Sequence, residues 1–161
     1  SMKRCLSSNS DLRVQISKAT ASKRAIDLYN SYHAIQMDRK NWNPVSTAEE
    51  EYSAHFIESD ITIEEISLFL NEQLLGILLF EQVEQGISLI YHFYDPKFKN
   101  RGLGTYLILK AIELAKVRGK DFVYMGYFIS GSRSMEYKAR FCPHQVLIDG
   151  KWVEPTPTTQ P

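Results

Sequence analysis

Between Tyr91 and Phe141 the chain runs from an apolar strand ending in YHFYDP, through a glycine turn, KNRGLGT (residues 99–105), into a long amphipathic stretch. Strand, Gly-x-Gly turn and helix in that order leave a cluster of backbone N–H groups pointing out of the helix start, where they bind anions. Gly102 and Gly104 let the backbone approach a phosphate, and the N–H groups of Leu103, Gly104, Thr105 and Tyr106 face it. Lys99 and Arg101 add positive charge, Arg101 with a fork that spans two oxygens. Downstream, YMGYFISGSRSMEYKARF interleaves aromatic rings with Arg133, Lys138 and Arg140. The two stretches together predict a transferase that grips a phosphate-bearing donor.

Charge supports that placement. From residue 41 to 96 there are eleven acids and no Lys or Arg, whereas from 97 to 140 ten basic residues face three acids. The net charge is zero, so attraction to a polyanion is local rather than global. With 161 residues, 43% of them apolar, the chain has enough material for a real core. Its boundaries are predicted as a leader and first strand over 1–20, one transferase domain over 21–154 and a disordered tail over 155–161. Two cysteines, Cys5 and Cys142, form neither a disulfide framework nor a metal-ligand spacing. No apolar run reaches a membrane span and no signal-peptide core opens the chain, which predicts a cytoplasmic protein without membrane contact.

Periodicity fills in the elements. Leu12, Val14 and Ile16 alternate as a short strand. A helix is expected from Ser22 to Arg39, with Ile26, Tyr29, Tyr32 (or His33) and Gln36 on one stripe, ended by Asn41-Trp42-Asn43-Pro44. Thr47 with Glu50 reads as a capping box opening a short helix to Phe56. Ile66–Leu70, Leu74–Glu81 and Ile87–Tyr94, joined by short turns, make three antiparallel strands. Leu103, Tyr106, Leu107, Leu109, Lys110, Ile112, Leu114 and Val117 mark a helix, with Gly119 just past its end. Asp121–Phe128 is expected as a buried strand parallel to Ile87–Tyr94. A short helix over Ser134–Arg140 and a hairpin over Gln145–Val153, turning at Asp149-Gly150, follow. This α+β order, a mixed and mostly antiparallel sheet flanked by helices, is similar to the GNAT acyltransferase fold.

An amine acceptor in such a site must lose a proton, and an ester donor must release a basic alkoxide that takes one up. Tyr94 and Tyr127 are the candidates to supply or relay protons, and Asp95 to orient the amine. His33, His55, His92 and His144 are scattered without ligand spacing and read as structural or surface residues. Trp42 and Trp152 read as packing anchors. No serine has a neighbouring base at a spacing that makes a nucleophilic triad.

The words YHFYDP, RGLGTY, FVYMGYFI and MEYKARFCP, in this order, resemble the C-terminal domain of arginyl/leucyl-tRNA–protein transferases. LYNSYHAIQM resembles that family's tyrosine-rich helix, and LIDGKWV its closing hairpin, so the resemblance runs from Ile26 to Val153. It implies a GNAT-like enzyme that moves an amino acid from aminoacyl-tRNA to the N-terminal amine of an acceptor protein, in the N-degron route, with protein arginylation as one form. No cofactor or metal is implied beyond the tRNA donor. On the matching positions, Arg101 to Thr105 would hold phosphates of the tRNA end, and Tyr127 with Tyr94 would handle protons. Arg133, Tyr137, Lys138 and Arg140 would face tRNA or an acidic acceptor residue. Ser134 stands where members carry Lys, and Lys99-Asn100 departs from the usual approach to the turn. The family's cysteine-containing N-terminal region has no counterpart in this sequence, which leaves open a stand-alone relative, a piece of a longer protein, a copy with a changed donor or acceptor, and a separate partner in that region's place. A CoA-thioester N-acyltransferase and a non-catalytic binder of acidic N-termini or RNA ends are the alternatives.

Overall fold

The computed structural model describes residues 1–39, 46–129, 131, 132 and 134–155. The Asn41–Pro44 helix stop, Trp42, Arg133 and the tail beyond Pro155 lie outside them. Two compact units divide the chain, Ser1–Tyr124 and Met125–Pro161.

In the first unit a helix α1 (Met2–Ser7) precedes strand β1 (Arg13–Lys18), helices α2 (Lys23–Arg39) and α3 (Glu49–Phe56), and strands β2 (Ile63–Leu70), β3 (Gln73–Val83) and β4 (Gly86–Tyr94). A 3-10 helix (Pro96–Arg101), helix α4 (Leu103–Val117) and strand β5 (Phe122–Tyr124) complete it. The sheet order is β1-β2-β3-β4-β5, antiparallel as far as β4, with β5 parallel to β4. This is the expected α+β sheet. Alternation sorts its side chains onto two faces. Ile77, Leu79 and Phe93 turn toward α2 and α3, where Ala25, Leu28 and Tyr52 close one buried cluster. Gly76, Phe80, His92 and Tyr94 turn toward α4. Gly76 is tight for a reason: a Cβ there would lie 3.3 Å from Leu107.

Several expectations need correction. The leader is not featureless, because residues 2–7 form α1, which packs against α4. The capping box fails: Ala48 is the N-cap of α3, without a side-chain bond, while the Thr47 backbone is taken by Asn30. On α4 the buried stripe is Leu103, Tyr106, Leu107, Ile108, Ala111, Leu114 and Ala115, and Val117 is exposed. The predicted strand over Asp121–Phe128 shrinks to three residues, and Phe122 is 45% exposed. Its ladder covers only Gly86 to Ser88 of β4. Just beyond, Ile90 is an unmatched residue in the pairing of β4 with β3, and such a bulge bends and twists its strand. Gly126, at φ +74°, then takes the following chain out of the extended conformation. Gly119 has the left-handed φ of +65° expected after α4.

The second unit holds a 3-10 helix (Glu136–Arg140) where a helix over 134–140 was expected, and the hairpin of β6 (Val146–Ile148) and β7 (Lys151–Val153). Asp149 and Gly150, both at positive φ, make its turn. Trp152 is 52% exposed and anchors no core.

One polar inclusion interrupts the α2/α3 side of the sheet. Ser67 donates to Glu65 Oε1 at 2.7 Å, while Glu65 Oε2 and the hydroxyl of fully buried Tyr52 have no hydrogen-bond partner among the described residues. Burial pushes the Glu65 carboxyl above its ordinary range, against smaller opposing effects of Ser67 and the Thr20 backbone. Because its folded pKa is raised, the stability it contributes is full at low pH and is lost as pH rises through that value. Glu65→Gln should therefore raise the melting temperature at pH 8, with the gain shrinking toward pH 4. Equal shifts at both pH values would contradict the assignment.

Candidate active site around the start of α4

At the end of β4 the chain turns sharply. Asp95 caps the 3-10 helix, its Oδ1 accepting the Lys97 N–H at 2.9 Å, and its Oδ2 accepts from Gln73 Nε2 at 3.3 Å. Gly102, at φ +65°, ends that helix and starts α4. The first intrahelical bond is Tyr106 N–H to Gly102 C=O at 3.0 Å, and no side chain caps the helix. The N–H groups of Leu103, Gly104 and Thr105 are left at the positive end of the helix dipole. These three amides are among those the sequence offered for an anion, and α4 gives them no intrahelical partner.

Gly104, which carries one of these amides, has a packing duty as well. A Cβ on Gly104 would lie 3.1 Å from His92 Nε2 and 3.2 Å from Tyr94 Cε1. Its missing side chain lets the first turn of α4 sit on the last residues of β4. Tyr106 leaves the phosphate set: its N–H is used and its ring is buried, with Lys110 Nζ 5.4 Å from the ring centre. Burial pushes the Tyr106 hydroxyl pKa up.

Arg101 is the largest correction. Its Nε donates to Asn9 Oδ1 at 3.0 Å, and its Nη2 donates to Ser8 C=O at 2.8 Å and pairs with Asp11. Fully buried Asn9 donates in turn to the carbonyls of Arg101, at 2.9 Å, and Cys5, at 2.8 Å. Cys5 Sγ approaches the Gly102 carbonyl at 3.5 Å. The N-terminal segment thus fastens the turn, and Arg101 is the bolt rather than a free anion ligand. Asp95, offered by the sequence as the group that orients the amine, is here a cap whose second oxygen is held by Gln73 of β3.

Tyr94 keeps its place. It ends β4, stacks edge-on with Tyr32 at 5.2 Å, and lines a pocket of about 110 Å³ with Tyr32, Ile35, Gln36, Pro96 and Lys99. Lys99 thus lines this pocket. One turn back on α2, His33 Nε2 and the Tyr91 hydroxyl lie 3.1 Å apart, and the two rings stack. Neither Asn9 nor the Tyr32–Gln36 wall was anticipated as part of the site. Gln36 on an otherwise apolar helix stripe was the available signal, while Asn9 offered none.

In the second unit, Tyr127 does not end a strand; its residue is 89% exposed. Its carbonyl accepts from Lys138 Nζ at 2.6 Å, and burial holds the Lys138 ammonium below its ordinary pKa. Half-buried Lys138 thereby ties the 3-10 helix to the segment around Tyr127. Arg140 is exposed and Tyr137 half-buried.

Residues 24–148 match the family model described as "Arginine-tRNA-protein transferase, C terminus". The chain is 36% identical over 146 residues to a protein of Helicobacter hepaticus named aspartate/glutamate leucyltransferase, covering 90% of this chain and 61% of that protein. A Stenotrophomonas maltophilia protein of the same name is 35% identical over 159 residues, covering 94% and 62%. The chain thus spans about three fifths of the length of the curated relatives it matches. Among solved structures, an acetyltransferase of the GNAT family from Staphylococcus aureus superposes with a TM-score of 0.54 at 15% identity, over 92% of each chain. A ribosomal-protein-alanine N-acetyltransferase from Brucella melitensis does so at 0.57 and 13%, over 80% of this chain and 88% of the other. The fold is GNAT-like.

Proposed function

This chain belongs to the arginine-tRNA-protein transferase C-terminus family, and from that premise we propose that it transfers an amino acid from charged tRNA to the N-terminal amine of acceptor proteins. The relatives' names favour leucine as the group delivered and Asp or Glu as the receiving residue, in place of the arginylation that the family resemblance also allowed. The observation that carries the reading is the uncapped start of α4, seated against the end of β4 beyond the point where the β5 ladder stops. The reaction draws on charged tRNA and so belongs in the cytoplasm; among the described residues no helix is long and apolar enough to cross a membrane.

The acceptor amine attacks the ester carbonyl, the C–O bond to the ribose breaks, and the amide C–N bond forms. The proton lost by nitrogen ends on the ribose oxygen. In this reading the amides of Leu103, Gly104 and Thr105 hold a phosphate at the tRNA end, where helix dipole and N–H donors act together. The Tyr94 hydroxyl relays the proton, which an alkoxide leaving group needs more than a thiolate would. Exposed Arg140 adds a phosphate contact, so donor affinity falls as salt rises.

Labelled-leucine transfer to peptides beginning with Asp or Glu tests the proposal. Wild type should transfer, and Tyr94→Phe should lose about a hundredfold or more in kcat. The reading fails if charged tRNA supports no transfer while acetyl-CoA both raises the melting temperature and acetylates an amine.

A further inference from the structure

Where an acidic acceptor residue would be read is not fixed by the start of α4. The pocket beside it is a better match. Its lining joins Ile35, Pro96, Tyr32 and Tyr94 with two polar residues, Lys99 and Gln36. Among the described residues no carboxylate lines it, and Asp95, adjoining Tyr94 and Pro96, accepts from Lys97 N–H and Gln73. Of the cations on the 3-10 helix, Arg101 is withdrawn by Asn9, Ser8 and Asp11, while exposed Lys99 faces the pocket.

Size narrows the occupant. At about 110 Å³ the pocket exceeds the roughly 10–15 Å³ that one water molecule needs, and falls short of the ~300 Å³ at which sites for whole small ligands begin. It has room for an amino-acid side chain. A short methylene stem fits apolar walls, and a carboxylate at its tip fits hydroxyl, amide and ammonium donors, which make charge-assisted bonds.

We propose that this pocket receives the side-chain carboxylate of the acceptor's N-terminal Asp or Glu, with Lys99 as its counter-charge; the inference rests on the transferase reading above. Tyr94 belongs both to the pocket and to the contact with Gly104. An acidic side chain seated there holds its own α-amine, a few bonds away, beside the strand end that meets α4.

Peptides beginning with Glu and with its neutral isostere Gln are titrated by calorimetry against this chain, Lys99→Gln and Lys99→Glu, at low and physiological salt. Wild type should bind the Glu peptide about tenfold more tightly, the size of one charged hydrogen bond. Lys99→Gln should erase that preference without changing affinity for leucyl-tRNA, and Lys99→Glu should shift it toward a peptide beginning with Lys. Equal wild-type affinities, or a preference that survives Lys99→Gln, would overturn the proposal. So would a loss in tRNA affinity with the peptide preference intact, which would return Lys99 to the donor. Leucine transfer is scored separately. Preference without transfer keeps the pocket and removes the enzyme reading, whereas transfer without preference does the opposite.

Discussion

Phe93→Ala is expected to lower the unfolding free energy by about 3–5 kcal/mol, the usual cost of deleting a buried aromatic ring. Phe93 is fully buried on β4, paired with Ile77 across the sheet. Its ring meets Tyr29 edge-on at 5.4 Å and Tyr52 at 6.3 Å. Those two tyrosines bring α2 and α3 onto the strand, and both are large and held by other rings, so the cavity cannot collapse. Against a total stability of roughly 5–15 kcal/mol for a domain, the loss is severe. It corresponds to a fall in melting temperature of about 10 °C. Phe93→Leu, which keeps most of the volume, should cost less than half as much. Because His92 and Tyr94 flank Phe93 and seat the first turn of α4, peptide transfer should fall together with stability. Denaturant melts showing less than about 1 kcal/mol for Phe93→Ala would mean that the aromatic cluster is not tightly packed.

The second large effect separates two roles for one residue. If Arg101 were a free ligand for phosphate, Arg101→Ala would weaken donor binding and leave the melt unchanged. The structure predicts destabilisation first. Asn9 is fully buried, and losing the Arg101 Nε donor leaves its Oδ1 without a partner, a cost of about 1–3 kcal/mol. Arg101→Lys should not restore it, since a single ammonium does not reproduce a fork serving Asn9, Ser8 and Asp11. The pH profile adds a check. Arg101 holds the Asp11 carboxyl below its ordinary value of 3.8. A depressed folded pKa contributes stability that is present above the unfolded value and lost as pH falls through the folded one. The wild-type advantage over Arg101→Ala should thus be full at pH 7 and diminish in acid below about pH 4. A variant that melts like wild type but has a raised KM for charged tRNA would restore the anion-ligand role.

Where the expectations held, one physical rule acted on neighbouring residues. Period-two alternation with short turns found β2, β3 and β4, the Gly-x-Gly turn marked the start of α4, and the αL tendency of glycine found its end. Gly102 at φ +65° and Gly119 at φ +65° are local facts of the backbone. Where they failed, a distant partner decided. Thr47 and Glu50 have the spacing of a capping box, but Asn30 claims the Thr47 backbone from α2, seventeen residues away. Lys138 reads as a surface cation within MEYKARF, yet it donates to the Tyr127 carbonyl. Asp121–Phe128 has strand composition throughout, and its ladder stops after Tyr124.

By itself the sequence determined the order of elements, the mixed sheet and the amide-bearing turn, because each depends on side-chain periodicity and backbone preference over a few residues. It also carried the family, through motifs spread along most of the chain. Only the tertiary structure decided what the charged groups of that turn do. Arg101 and Lys99 are two residues apart and chemically alike in sequence, yet Asn9 and Asp11 fold over one while the other opens onto the Tyr32–Tyr94 pocket. A charge acts through whatever lies within a few ångströms of it, and in this chain those neighbours come from about ninety residues upstream for Arg101 and from α2 for Lys99.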